Sequence, residues 1–200
     1  MTDVLELADP QAPAETVAGW PIAAWLAAEP TVASSAGVAL TPYGGWESRP
    51  TPDPRSAGRE EIAGALLEIV GAEGPVLAAR AYGLLNKAAG GKKLTSIVRA
   101  PLSGAAYRLR QQGALVIEER EGQGDETLRL AGSPSVRVRE LGPRTLDEVP
   151  LDELAELMGR LREAGASELR RATLDAYGLR RMTSHAEELL GRAEALLVEA

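Results

Sequence analysis

Two short stretches of this chain place cations and hydroxyls side by side. Lys92-Lys93-Leu94-Thr95-Ser96 and, 88 residues later, Arg180-Arg181-Met182-Thr183-Ser184 share one order of two cations, an apolar residue and two hydroxyls. Such a pairing suits phosphate oxygens, since the cations supply charge and the hydroxyls supply directed hydrogen bonds. The first copy lies in a block from Gly74 to Ile117 that holds Arg80, Lys87, Lys92, Lys93, Arg99, Arg108 and Arg110 and no Asp or Glu. The formal net charge of the whole chain is −7, so everything outside this block of seven cations carries −14. A basic block in an acidic chain is the footprint expected of nucleic-acid binding, against the alternative of a solvated basic face.

Other chemistry finds little support. The chain has no cysteine, which removes disulfides, thiolate metal sites and cysteine nucleophiles and fits a reducing compartment. His185 is the only histidine, and it stands beside a predicted helix start, where a capping or surface role is the simpler reading. No cluster has metal-ligand spacing. The stretch NKAAGGKK fails as a phosphate loop: Asn86 stands where the first glycine belongs and Lys93 where the hydroxyl belongs. Asp147, Glu148, Asp152, Glu153 and Glu156 mark a helix start, where the dipole favours acids. We expect no enzyme, no cofactor and no metal.

The elements that must position the cations follow from periodicity. Residues 1–58 read as an extended, acidic arm that holds most of the thirteen prolines and all three tryptophans, Trp20, Trp25 and Trp46. Tryptophan is rare in a solvated tail, so parts of the arm are expected to dock on the folded body or on a protein partner. Ile62, Leu66, Ile69 and Val70 predict a first helix, and Pro75 is expected to start a second that ends at Gly90-Gly91. Val98, Leu102, Ala105 and Leu109 predict a third, with Pro101 leaving open whether its first turn is irregular or helix begins only near Ala100. ALVIEER and ETLRLAG around EGQGD predict a hairpin, and the alternation of Val136 and Val138 a further strand beside it. Three helices are expected at about 151–164, 166–177 and 184–198. The apolar run GWPIAAWLAA is too short to span a bilayer and lacks a basic leader, so no membrane is expected. The cytoplasm is the expected location, on the nucleoid if DNA is the ligand. The richness in Ala, Gly, Leu and Arg points to a GC-rich bacterial genome.

The shift of 88 residues carries more than the opening motif. It places Gly90 on Gly178, Val98 on Ala186, Leu102 on Leu190, Ala105 on Ala193 and Leu109 on Leu197, as a duplicated unit would. Ser184 with Glu187 has the capping-box spacing, and by analogy Thr95 or Ser96 caps the third helix.

At the level of longer motifs the chain resembles a bacterial domain of unknown function. That domain lies at the C-terminus of some superfamily 1 helicase-like and restriction- or repair-associated proteins. The resemblance covers roughly residues 59–200. It rests on EGP between the first two helices, the basic GGKK turn, the RLRQQG helix end, the VRVRE strand and YGLRR in the second helical unit. It implies a winged-helix-like module associated with nucleic-acid enzymes. Here an acidic, Trp-bearing arm precedes the module, so no enzymatic role is carried over from the larger relatives.

The fold class expected is mainly α with a small β-hairpin (α+β). It comprises the arm 1–58, a winged helix-turn-helix over 59–140 and a wingless three-helix repeat over 141–200. The expected function is non-enzymatic binding of duplex DNA by the third helix and its basic turn, as a regulator or accessory factor of DNA transactions. In such units the third helix enters the major groove. Lys87, Lys92, Lys93, Thr95, Ser96, Arg108 and Arg110 are candidate contacts, and Arg99 is the candidate base reader. Arg120, Arg137, Arg180 and Arg181 are secondary candidates, although Glu118, Glu119, Glu121 and Asp125 make the wing repel phosphate. In the second copy Arg180 and Arg181 are expected to pair with the glutamates of the last helix, and the C-terminal helices are a candidate homodimer surface. The alternative is a winged-helix adaptor that binds protein within a larger nucleic-acid-processing complex.

Overall fold

The computed structural model describes residues 32–33 and 37–199. The chain is α+β, with six helices and a small three-stranded antiparallel sheet among the described residues. Trp20 and Trp25 lie outside them, while Trp46 packs against the first of two apolar cores.

The first core is built by α1 (Arg59–Glu73), α2 (Ala78–Ala88) and α3 (Ser96–Gln111), closed by three strands. Ile62, Leu66 and Ile69 of α1 meet Tyr82 and Leu85 of α2 and Val98, Leu102 and Leu109 of α3, all buried. Each such Leu or Ile contributes about 1.5–3 kcal/mol through its removal from water. β4 (Leu115–Glu119) and β5 (Glu126–Leu130) form the expected hairpin. Leu115, Ile117 and Leu128 face the core, Glu118 takes the opposite face, and Glu119 is exposed at the end of the strand.

The third strand is not where the sequence placed it. β3 (Val76–Leu77) pairs antiparallel with β5, giving the order β3-β5-β4. Pro75 therefore leads into a strand, and α2 begins only at Ala78. The valine alternation at 136–138 forms no strand beside the hairpin. Val138 instead enters the second core, and Arg139 makes an isolated parallel bridge to Thr41.

The second core joins α4 (Leu151–Glu163), α5 (Leu169–Ala176) and α6 (Ser184–Glu199) through Leu154, Leu157, Met158, Leu161, Leu174 and Leu190. Val38 and Leu40, from the segment assigned to the arm, are buried in it too. The pair β1 (Val32–Ala33) and β2 (Ala39–Leu40) leads into this contact. The arm between 37 and 58 is thus an integral strap: it enters the second core, crosses to the first, and bonds there through Thr51 Oγ1 to the Leu85 carbonyl at 2.9 Å.

A buried ionic joint links the two cores. Glu153, in the first turn of α4, accepts from Arg139 Nη2 at 2.8 Å and from Arg144 Nη1 and Nη2 at 2.9 Å each. Arg139 also donates to the carbonyls of Glu73 at 2.6 Å and Pro75 at 2.8 Å, so one guanidinium ties α4 to the end of α1. Glu73 in turn accepts from Arg80 Nε at 2.6 Å and from the Tyr43 hydroxyl at 2.5 Å. The Tyr43 ring lies 4.5 Å from Arg144 and 5.4 Å from Arg139, and a Cβ at Gly142 would come within 2.7 Å of that ring. Burial and the bond to Glu73 push the Tyr43 hydroxyl up to about 12. For Glu153, burial opposes ionisation, but the two arginines outweigh it and hold the carboxyl below its ordinary value.

Candidate nucleic-acid interface

The basic turn is shaped by glycine. Gly90 closes α2 at φ +82°, and the N–H of Gly91 reaches back to the Asn86 carbonyl at 2.8 Å. A Cβ at Gly91 would stand 2.1 Å from the buried Asn86 side chain, so this close crossing requires glycine. The turn delivers Lys92 and Lys93 to solvent just before α3, whose N-cap is Thr95 and whose first residue is Ser96. The Thr95 side chain makes no capping bond, and both hydroxyl residues are exposed. Helix starts at Ser96 and not near Ala100, so of the two alternatives it is the late start that fails. Pro101 sits inside α3, where its missing N–H leaves the Ile97 carbonyl without a helical donor.

At about 100° per residue, Ile97, Ala100, Gly104 and Tyr107 share one arc of α3, opposite the buried Val98, Leu102 and Leu109. Ile97 is 72% exposed and Tyr107 38%. Small residues between them leave the middle of this face open to close approach. Arg108 and Arg110 flank it on opposite sides, and Lys87 is exposed on the last turn of α2. Lys87, Lys92, Lys93, Arg108 and Arg110 make no ion pair with any other described residue. A shallow cavity beside the turn is lined by Lys92, Lys93, Thr95 and Ile97 together with Asp53 and Arg55. There Arg55 hydrogen-bonds Asp53 and holds its carboxyl at about 2.

The remaining cations of the block are occupied. Arg80 is buried in the joint, bonded to Glu73 and, at 2.8 Å, to Glu148. Arg99, the candidate base reader, bonds Asp125 Oδ1 at 2.6 Å and lies over the Tyr82 ring at 5.6 Å. Asp125 Oδ2 accepts the Ala79 N–H at 2.6 Å, so this one carboxylate pins the hairpin to the start of α2 and to α3.

The hairpin tip is also held from the other side. Arg120 pairs with Asp152 at 2.8 Å, Gln123 Oε1 accepts the Leu151 N–H at 3.0 Å, and Arg192 of α6 donates to the Gly122 carbonyl. Arg137 donates to the Gly74 carbonyl at 3.1 Å. Arg180 and Arg181 are exposed, and the expected pairing with the α6 glutamates is not formed among the described residues. Glu194 takes Arg170 at 2.6 Å instead, and Arg171 bonds Asp175. The cap of α6 is shifted by one from the predicted box: Thr183 Oγ1 accepts the Ala186 N–H at 3.1 Å.

The sequence thus located the open cations. It missed Asp125 as the partner of Arg99, and it missed Ile97 and Tyr107 as surface groups. Ile97 carried a signal, because it falls outside the Val98-Leu102-Ala105-Leu109 register. Asp125 carried none, since its partner lies 26 residues away on another element. Among the described residues no group of His, Asp or Glu is arranged to hold a metal, and no helix is long and apolar enough to cross a membrane. No family model matches the chain, and neither does any curated protein or solved structure.

Proposed function

We propose that residues 59–140 form a winged helix-turn-helix that binds duplex DNA, without catalysis, through α3 and the turn before it. The observation that carries this reading is the set of five cations, Lys87 at the end of α2, Lys92 and Lys93 on the turn, and Arg108 and Arg110 on α3, that make no ion pair among the described residues. The element order helix, strand, helix, helix, strand, strand supports the winged-helix assignment, as does a three-stranded sheet with β5 at its centre. Lys92 and Lys93 with the exposed Thr95 and Ser96 hydroxyls suit phosphates at the helix N-terminus. Because Arg99 is bonded to Asp125 and the hairpin tip to α4 and α6, recognition in this reading is mainly of the backbone, with weak sequence preference.

The reading of 141–200 as a wingless copy gains support from α3 and α6, which have equal length and start 88 residues apart, and from α2 and α5, which end 88 apart. The positive-φ glycine is weaker support, since α3 and α4 end on Gly113 and Gly165 in the same way.

The test is titration of a labelled random-sequence duplex across a salt series. Five phosphate contacts predict that the logarithm of affinity falls with the logarithm of salt at a slope of roughly −4.5. Lys92→Glu with Lys93→Glu should weaken binding about 100-fold. A flat salt dependence, or unchanged binding by the double variant, sinks the reading. The protein-adaptor alternative is favoured by one observation, the exposure of Ile97 and Tyr107 on the same face. It predicts salt-insensitive capture of a protein and no duplex binding.

A further inference from the structure

The α3 face is flanked by cations and presents Ile97 and the ring of Tyr107, whose hydroxyl donates to Glu126, and the chain carries a segment of largely complementary composition. Residues 1–31 contain Asp3, Glu6, Asp9, Glu15 and Glu29, no Lys, Arg or His, and two tryptophans. We infer that this segment docks on the α3 face as an intramolecular competitor for DNA. The competition rests on the DNA reading above; the docking itself does not.

Three observations carry it. The first is charge: five carboxylates stand against five cations that have no ion pair among the described residues. In water each such exposed contact is weak, but a cluster of one sign facing a cluster of the other is not self-cancelling. The second is the apolar match. Ile97 and Tyr107 are two of the three exposed large hydrophobic residues among the described ones, and Trp20 and Trp25 are large flat side chains with an apolar body and a polar edge. The third is reach. A stretch of 31 residues spans up to about 100 Å when extended, several times the radius of gyration of a compact 200-residue body, about 16 Å. Tethering gives it an effective concentration of order millimolar, so a contact of modest intrinsic affinity suffices.

Two variants of the full chain test the inference. In one, Trp25 is replaced by the photocrosslinker benzoylphenylalanine; in the other, Asp3→Asn, Glu6→Gln, Asp9→Asn, Glu15→Gln and Glu29→Gln remove the charge. Irradiation should attach position 25 to the stretch between Ile97 and Arg108 of the same molecule, and the charge-neutral variant should bind random-sequence duplex about tenfold more tightly, as expected if the wild-type face is open one-tenth of the time. Crosslinks to any other stretch, or between two copies of the chain, overturn the docking, as does unchanged duplex affinity in a protein whose wild type binds. If neither wild type nor variant binds duplex at low salt, it is the DNA reading that fails, and the crosslink position alone then decides the docking.

Discussion

Lys92 and Arg139 both sit in basic runs of sequence, and the fold uses them in opposite ways. Arg139 is 1% exposed, and its planar fork spans Glu153 on one side and the carbonyls of Glu73 and Pro75 on the other. Arg80 and Arg144 join the same joint. Lys92 and Lys93 stand in solvent on a glycine turn with no ion pair among the described residues. The difference follows from the side chains. A guanidinium presents five donors in a fixed plane and is weakly hydrated, so it can satisfy several acceptors when buried, whereas an ammonium is a compact, strongly hydrated charge that stays in water unless a ligand replaces that water. Charge in this protein is therefore structural where it is arginine at the joint, and available where it borders α3.

The largest effect expected from breaking this division is at Glu153. Glu153→Gln removes the charge that neutralises Arg139 and Arg144 and leaves both guanidiniums buried without a counter-ion. Loss of about 3–5 kcal/mol of stability is expected, measured by urea unfolding. Acid should act on the same group. The folded carboxyl of Glu153 lies below its unfolded value, so its contribution is fully present above the unfolded value of about 4.3 and disappears as the pH falls through the lower folded one. Melting followed from neutral pH downwards should show a decline below about pH 4 that is shallower in Glu153→Gln. Equal slopes in the two proteins would mean that the joint is not held by this charge.

How much of this was legible in the sequence depends on the range of the interaction. The register of α3 and the hairpin could be read because each is fixed by residues a few positions apart. β3 is two residues long and has no period to read; only pairing with Leu128 and Thr127 of β5, some fifty residues away, makes it a strand. Val136, Arg137, Val138 and Arg139 show the converse. Their alternation is real, but it separates Val138, which fills the second core beside Leu40, from Arg139, which enters the joint, and no neighbouring strand is needed to explain it. At the candidate interface the exposed lysines were readable from charge alone, since no described acid pairs with them and Asp53 beside them is taken by Arg55. The capture of Arg99 and Arg80 was not, because their acids come from a turn and a helix that only the fold brings near.

The next effect in size concerns the exposed cations. Lys92→Glu with Lys93→Glu should weaken duplex binding about 100-fold, with a salt slope smaller by about 2. Its unfolding midpoint should match the wild type, because neither lysine makes an ion pair among the described residues. Arg180→Glu with Arg181→Glu, in the turn before α6, is the matched control. Its turn precedes a helix carrying the exposed Glu187 and Glu188, so a change of less than about threefold is expected. A comparable loss from both double variants would show that net charge, not the α3 face, governs binding.

Arg99 lies between the two classes, since its side chain is 42% exposed yet bonded to Asp125 at 2.6 Å, and it gives the smallest and most discriminating effect. If it acts as a strut, Arg99→Ala lowers stability by no more than about 1 kcal/mol, the usual value of a partly exposed pair, and changes duplex affinity little. Asp125→Asn separates strut from reader. The amide can still accept the Ala79 N–H, but it no longer holds the guanidinium by charge. Arg99 is then free to turn outward to the α3 face, and affinity should rise by about threefold to tenfold, at most the 1–3 kcal/mol of a good base contact. The rise should disappear in the double variant Arg99→Ala with Asp125→Asn. If it persists there, the gain comes from removing a negative charge near the duplex, and Arg99 belongs with the buried arginines as a purely structural group.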